Sequence, residues 1–168
     1  RRLTRLKKFV CMLCLLTGMA WLYVQPVQAQ KKEIAAAKDL VKAGKNLDQA
    51  QKNMEKLLLD SANRANRKIW AVLYDAVRKQ YEQGNEQLYL KQKYDTAKLF
   101  SLTRQLFVIA EGIDSVESIP NRKGKVEIES RKGHAEYLNQ IRPNLYNGGS
   151  WFVRKQSYAE AYRFFDKY

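Results

Sequence analysis

Very few residues of this chain could do chemistry. His134 is the only histidine, so no His-based metal cluster and no Ser–His–Asp triad with a spare ligand can be drawn. Placed behind Lys132 and Gly133, close to a predicted helix start, it reads as a surface residue. Both cysteines, Cys11 and Cys14, fall inside the first 29 residues. If that stretch is a removable leader, the rest of the chain has no disulfide, no catalytic thiolate and no Cys-ligated metal. The glycines of Tyr146-Asn147-Gly148-Gly149 neither follow a strand pattern nor precede Lys-Ser or Lys-Thr, so they form no phosphate cradle. Helix packing explains Gly149 better. The sequence therefore predicts no catalytic residue, cofactor, metal or small-molecule substrate, and no enzyme.

Charge is the other chemical resource. The formal net charge is +14 over 168 residues. Without Arg1, Arg2, Arg5, Lys7 and Lys8 it falls to +9, with 26 Lys and Arg against 17 Asp and Glu. Arg122, Lys123, Lys125, Arg131 and Lys132 lie in or beside one irregular stretch. They are candidate contacts for a polyanion such as lipopolysaccharide, anionic lipid or nucleic acid. Elsewhere the charges are dispersed, as on an ordinary solvated surface. Nucleic acid is the least favoured of these, since no concentrated basic–aromatic motif is present.

Residues 1–29 read as a secretory signal peptide. The cationic head precedes an uncharged run from Phe9 to Val24, Pro26 breaks any helix, and Val27-Gln28-Ala29 supplies small residues for cleavage before Gln30. An uncleaved anchor is the alternative, but the run is shorter than the roughly 20 residues of a membrane span. The expected location is the periplasm or cell envelope. The membrane is met only through this segment before cleavage. The chain lacks an initiator Met and stops inside an amphipathic stretch, which suggests a fragment.

The elements that would position these residues are helical. Ile34, Ala37, Leu40 and Val41 recur at helical spacing up to Gly44, which ends that helix. A second stripe runs Leu47, Ala50, Met54, Leu57, Leu58. A long third one carries Ile69, Val72, Leu73, Ala76, Val77, Tyr81, Gly84 and Leu88. After a turn at Lys91-Gln92-Lys93, Leu99, Leu102, Leu106, Ile109 and Ile113 make a fourth, which Phe100 and Phe107 widen enough to bury it on two sides. Residues 114–131 break the pattern: Pro120-Asn121 and Lys123-Gly124 are turn dipeptides, and Val126-Glu127-Ile128-Glu129 alternates like a strand. This is a basic insertion loop or short hairpin. Helix resumes around His134, Tyr137, Leu138 and Ile141, and Pro143 opens a final pair.

That final pair carries the most specific pattern. Gly149, Phe152, Tyr158, Ala161 and Phe165 place small residues where two helices would touch and large ones between and below them. Ser157 with Glu160 reads as a capping box. Leu47-Asp48-Gln49-Ala50 and Tyr94-Asp95-Thr96-Ala97 repeat the form of Tyr158-Ala159-Glu160-Ala161. Residues 144–168 resemble a tetratricopeptide repeat. Residues 34–59 resemble it less closely, and 67–113 only weakly. The separations Ala50 to Ala97 and Ala97 to Ala161 are 47 and 64 residues, against a family period of about 34.

The resemblance is to exported bacterial tetratricopeptide-like proteins. It implies an all-α fold of antiparallel helix pairs stacked as an α-solenoid with one irregular insertion. Degenerate repeats would fill 30–113, the insertion 114–131, and a pair truncated at its end 132–168. An unrelated helical bundle is the alternative. The last residues carry no polar cap, so further repeats are expected after Tyr168. By the same resemblance, Tyr146, Asn147, Ser150 and Arg154 would face a groove and meet another protein or peptide. The function implied is a non-catalytic interaction scaffold. A basic polyanion-binding surface is the alternative.

Overall fold

In a computed structural model, residues 28–168 are described, and every regular element among them is helical. The expected leader lies outside the described residues except for Gln28 and Ala29, which fall in the first helix. That helix, α1, covers 28–43. Gly44 stops it at φ +66°, a left-handed conformation that suits glycine. Its N–H bonds Val41 O at 3.1 Å while Lys45 N–H reaches Leu40 O at 3.2 Å. This is the Schellman pairing that satisfies the last helical carbonyls.

α2 (Leu47–Leu59) follows at once, then a single 3-10 turn at Ser61–Asn63, then α3 (Arg67–Tyr89). The Asn66 side chain caps α3 by accepting from Lys68 N–H, and Asp95 caps α4 (Thr96–Glu117) by accepting from Lys98 N–H. The Trp70 indole N–H donates to Arg64 O at 2.8 Å and ties the link before α3 to that helix. α5 (Arg131–Ile141), α6 (Pro143–Arg154) and α7 (Tyr158–Phe165) complete the order, with Pro143 in the first turn of α6, where its missing N–H costs nothing. Among the described residues no helix is long and apolar enough to cross a membrane.

The predicted stripes form one core. Ala37, Ala50 and Met54 from α1 and α2 meet Ile69, Leu73 and Val77 of α3, Leu102 and Leu106 of α4, and Leu138 and Ile141 of α5. α3 packs between α2 and α4, while α4 also meets α5 and α6. The two-sided burial expected of α4 is therefore present. Three glutamines run across these helices: Gln80 donates to Gln51 at 2.7 Å, and Gln51 donates to Gln105 at 2.7 Å. This chain of amides joins α2, α3 and α4 and satisfies the Gln51 and Gln105 acceptors.

Three expectations are corrected. Residues 126–129 join no backbone ladder and no strand occurs among the described residues, because alternation makes a strand only where a second one supplies the ladder. The irregular segment is 118–130, as α4 continues through Glu117. The capping box does not form: the Ser157 side chain makes no cap bond, and Glu160 pairs instead with Arg163 at 2.9 Å.

Candidate functional site

α6 and α7 form a hairpin that stands on α4. Adjacent glycines set how closely it closes. A Cβ on Gly149 would lie 2.5 Å from the Phe165 ring, and one on Gly148 would lie 2.8 Å from the Phe164 ring. Phe164 is 1% exposed and stacks on Phe152 with centroids 5.3 Å apart. Leu145 and Ala161 are buried with it. Outside the hairpin, Trp151 meets Phe100 of α4 at 6.5 Å and Lys167 pairs with Glu111 at 2.7 Å. Asn144 donates to the Tyr81 hydroxyl of α3 at 2.8 Å.

The same helical phase that buries Ala161 and Phe164 turns another stripe outward. Side chains advance about 100° per residue, so Tyr158, Tyr162 and Phe165 share one side of α7. Tyr146, Ser150 and Val153 share one side of α6. These two sides adjoin, since the Tyr146 ring lies 5.8 Å from Phe165 and 5.8 Å from Tyr168. Tyr162 is 69% exposed, Tyr158 65%, Tyr146 55%, Tyr168 52%, Val153 42% and Phe165 39%. Nothing among the described residues covers this aromatic surface.

The sequence-predicted residues divide around this face. Tyr146 and Ser150 lie on it, while Asn147 and Arg154 stand about 100° and 80° round α6 from Tyr146, at its edge. Of the predicted packing positions, Ala50, Gly149 and Ala161 are buried and Phe152 half-buried. Tyr158 does not fill the hairpin but faces outward, and Phe164 takes the buried place expected of Phe165. Ala97 is half-buried and sits at the second residue of α4, whereas Ala50 and Ala161 are the fourth residues of their helices. The repeat match at Tyr94-Asp95-Thr96-Ala97 is thus two residues out of phase, and Leu99 occupies the core position. Tyr162, Val153 and Tyr168 were missed as surface groups. The spacing 158, 162, 165 was the signal that could have found them.

A second feature is a cavity of about 180 Å³ beneath the 118–130 loop, walled by Trp70, Tyr74, Asp75, Glu117, Ser130 and His134 among others. Glu117 is 5% exposed. Its Oε2 accepts from Glu129 N–H and Ser130 N–H, both at 3.0 Å, and its Oε1 accepts from the Ser130 hydroxyl at 2.7 Å. Burial raises its pKa, but these bonds and the Arg67 guanidinium outweigh that and hold it below its ordinary value. His134 stacks on Tyr74 with centroids 4.0 Å apart, so it is an inward, half-buried group and not the surface residue expected. Burial lowers its pKa against the pull of Glu117, Asp75 and Asp114. Burial likewise lifts the Tyr74 hydroxyl to about 12.

Glu117 ties the loop to the last turn of α4. A carboxylate made less basic by three donors is a poor acceptor for the Ser130 proton, so the contact latches the loop. The basic residues of that segment are partly engaged. Arg131 binds Asp114 at 2.8 Å, and Lys125 lies 3.5 Å from Glu127. Arg122, Lys123 and Lys132 are exposed. Among the described residues no group of three His, Cys, Asp or Glu could hold a metal. No family model, curated protein or solved structure matches the chain.

Proposed function

We propose that this chain is a non-catalytic protein–protein interaction scaffold of the bacterial cell envelope, built as a tetratricopeptide-like stack of helix pairs. The observation that carries the reading is the exposed aromatic face of α6 and α7. Tyrosine presents a large rigid apolar body and a hydroxyl at little entropic cost, which suits it to protein interfaces. The repeat-like architecture is supported by the α6–α7 hairpin, closed by Gly149 and Ala161, and by α2, where Ala50 is fully buried. Ala97 weakens it in the middle pair. Export rests on the leader pattern of residues 1–29.

The polyanion reading has less support, because Lys125 and Arg131 already face acidic partners. Salt separates the two. The full chain and its Tyr158→Ser/Tyr162→Ser variant are each used to capture protein from envelope extract and washed with rising salt. Both tyrosines are mostly exposed, so the variant keeps its fold. The scaffold reading expects a defined protein that survives high salt on the parent chain and is lost on the variant. Equal capture by both, or only salt-labile anionic material, contradicts it.

A further inference from the structure

A groove of about 530 Å³ lies between the C-terminal half of α3 and α5. Glu82, Asn85, Glu86 and Tyr89 line it from α3, and Tyr137 and Gln140 line it from α5. No Lys or Arg lines it, on a chain whose formal net charge is +14. The groove is thus a local negative patch with aromatic walls.

One end shows what such walls hold. The Arg78 guanidinium lies 4.0 Å from the centre of the Tyr137 ring, and its Nε–H donates to Glu82 Oε1 at 2.8 Å. A ring face and a carboxylate together seat a flat, donor-rich cation. One turn further along α3 the same two kinds of group recur. Glu86 stands four residues after Glu82 and three before Tyr89, so the three share one side of the helix. Tyr89 is 85% exposed, and Glu86 makes no ion pair among the described residues. The Tyr137 hydroxyl, buried without a hydrogen-bond partner among the described residues, leaves an acceptor open in the α5 wall.

We propose that this end of the groove binds the guanidinium of an arginine-like ligand, with Glu86 accepting its N–H groups and Tyr89 covering its face. The site stands apart from the scaffold reading and does not depend on it. A guanidinium is all donor and no acceptor, which matches walls of carboxylate and amide oxygens. A lysine-like ammonium fits less well, because it is a compact, strongly hydrated charge that stacks poorly on a ring. An anion would meet two carboxylates and fits worst.

The test titrates the isotope-labelled full chain at low salt with N-ethylguanidinium, a blocked Gly-Arg-Gly peptide and its citrulline isostere, following amide shifts by NMR. Both guanidinium probes should shift the amides of Asn85, Glu86, Tyr89 and Gln140. The citrulline peptide keeps the shape without the charge and should bind about fivefold more weakly or worse. Glu86→Gln should weaken the arginine peptide about fivefold, and Tyr89→Ala about threefold. Both side chains are exposed, so these variants keep their fold. Glu33→Gln removes the same charge from an exposed position on α1 and should leave binding unchanged. Tighter binding of the arginine peptide than of N-ethylguanidinium points to a peptide source, and the reverse to a free small molecule. Equal binding of the citrulline peptide, equal losses from Glu86→Gln and Glu33→Gln, or the absence of any saturable shift in the groove overturns the proposal.

Discussion

Two residues show how much single side chains decide here. Glu117 holds the 118–130 loop through two backbone N–H groups and one hydroxyl. Glu117→Gln keeps an acceptor but gives up its charge and one of its two acceptor oxygens. It should cost about 2 kcal/mol in urea unfolding, with faster amide exchange at Glu129 and Ser130. The pH dependence has a definite sign. A carboxyl whose folded pKa lies below its ordinary 4.5 binds fewer protons folded than unfolded. Its stabilisation is complete above that value and is lost as pH falls through the lower folded one. His134, depressed from 6.5, acts in the same direction at milder acidity. Thermal midpoints should therefore fall in two stages on acidification; Glu117→Gln should remove the lower stage and deepen the upper one, because the Glu117 charge holds the His134 pKa up. Neither group was legible in the sequence, because Glu117 finds its partners in irregular chain and His134 finds Tyr74 on another helix. Gly149 was legible, since a small residue opposite a large one at helical spacing has few other uses. Gly149→Val should cost about 2 kcal/mol by overpacking Phe165. Gly133→Ala, with nothing within 4 Å of the added carbon, should instead stabilise by about 0.5 kcal/mol through helix propensity. Chemical denaturation of the two variants checks both signs.

At the scale of elements, periodicity read well wherever an apolar stripe had a core to face. Stripes over α1 to α4 appear where Ala37, Met54, Leu73 and Leu106 required them, since burying such a stripe is what holds a helix in place. Signals that need a second partner read poorly. Residues 126–129 alternate but have no strand to pair with. Ser157 stands three before Glu160, yet Ser157 N–H is taken by Phe152 O at 2.9 Å and Glu160 is drawn to Arg163. Ala97 matched by type, but the Asp95 cap starts α4 two residues too late for it to reach the core. The glutamine chain was hidden for the same reason, being shared among three helices. Gln80→Ala should leave the Gln51 acceptor unpaired beside the core and cost about 2 kcal/mol. A double-mutant cycle with Gln105→Ala should give non-additive losses, measurable by urea unfolding.

For the whole molecule, the core of α1 to α5 and the hairpin of α6 and α7 divide the work. The first supplies stability through the contiguous apolar cluster. The second is braced against α4 by Trp151, Phe164 and Lys167 and keeps its remaining aromatic side outward. An all-helical fold was legible from the stripes. The exposed aromatic face was legible only at Tyr146 and Ser150, because which side of α7 stays open depends on how Gly148 and Gly149 seat Phe164 and Phe165. The most direct measurement places a photo-crosslinking residue at Tyr162, and as a control at Lys52, on the exposed side of α2, in chains returned to envelope extract. Under the scaffold reading, one protein adduct from position 162 persists in high salt and is absent from position 52. Adducts of equal yield from both positions, or none from 162, would contradict it.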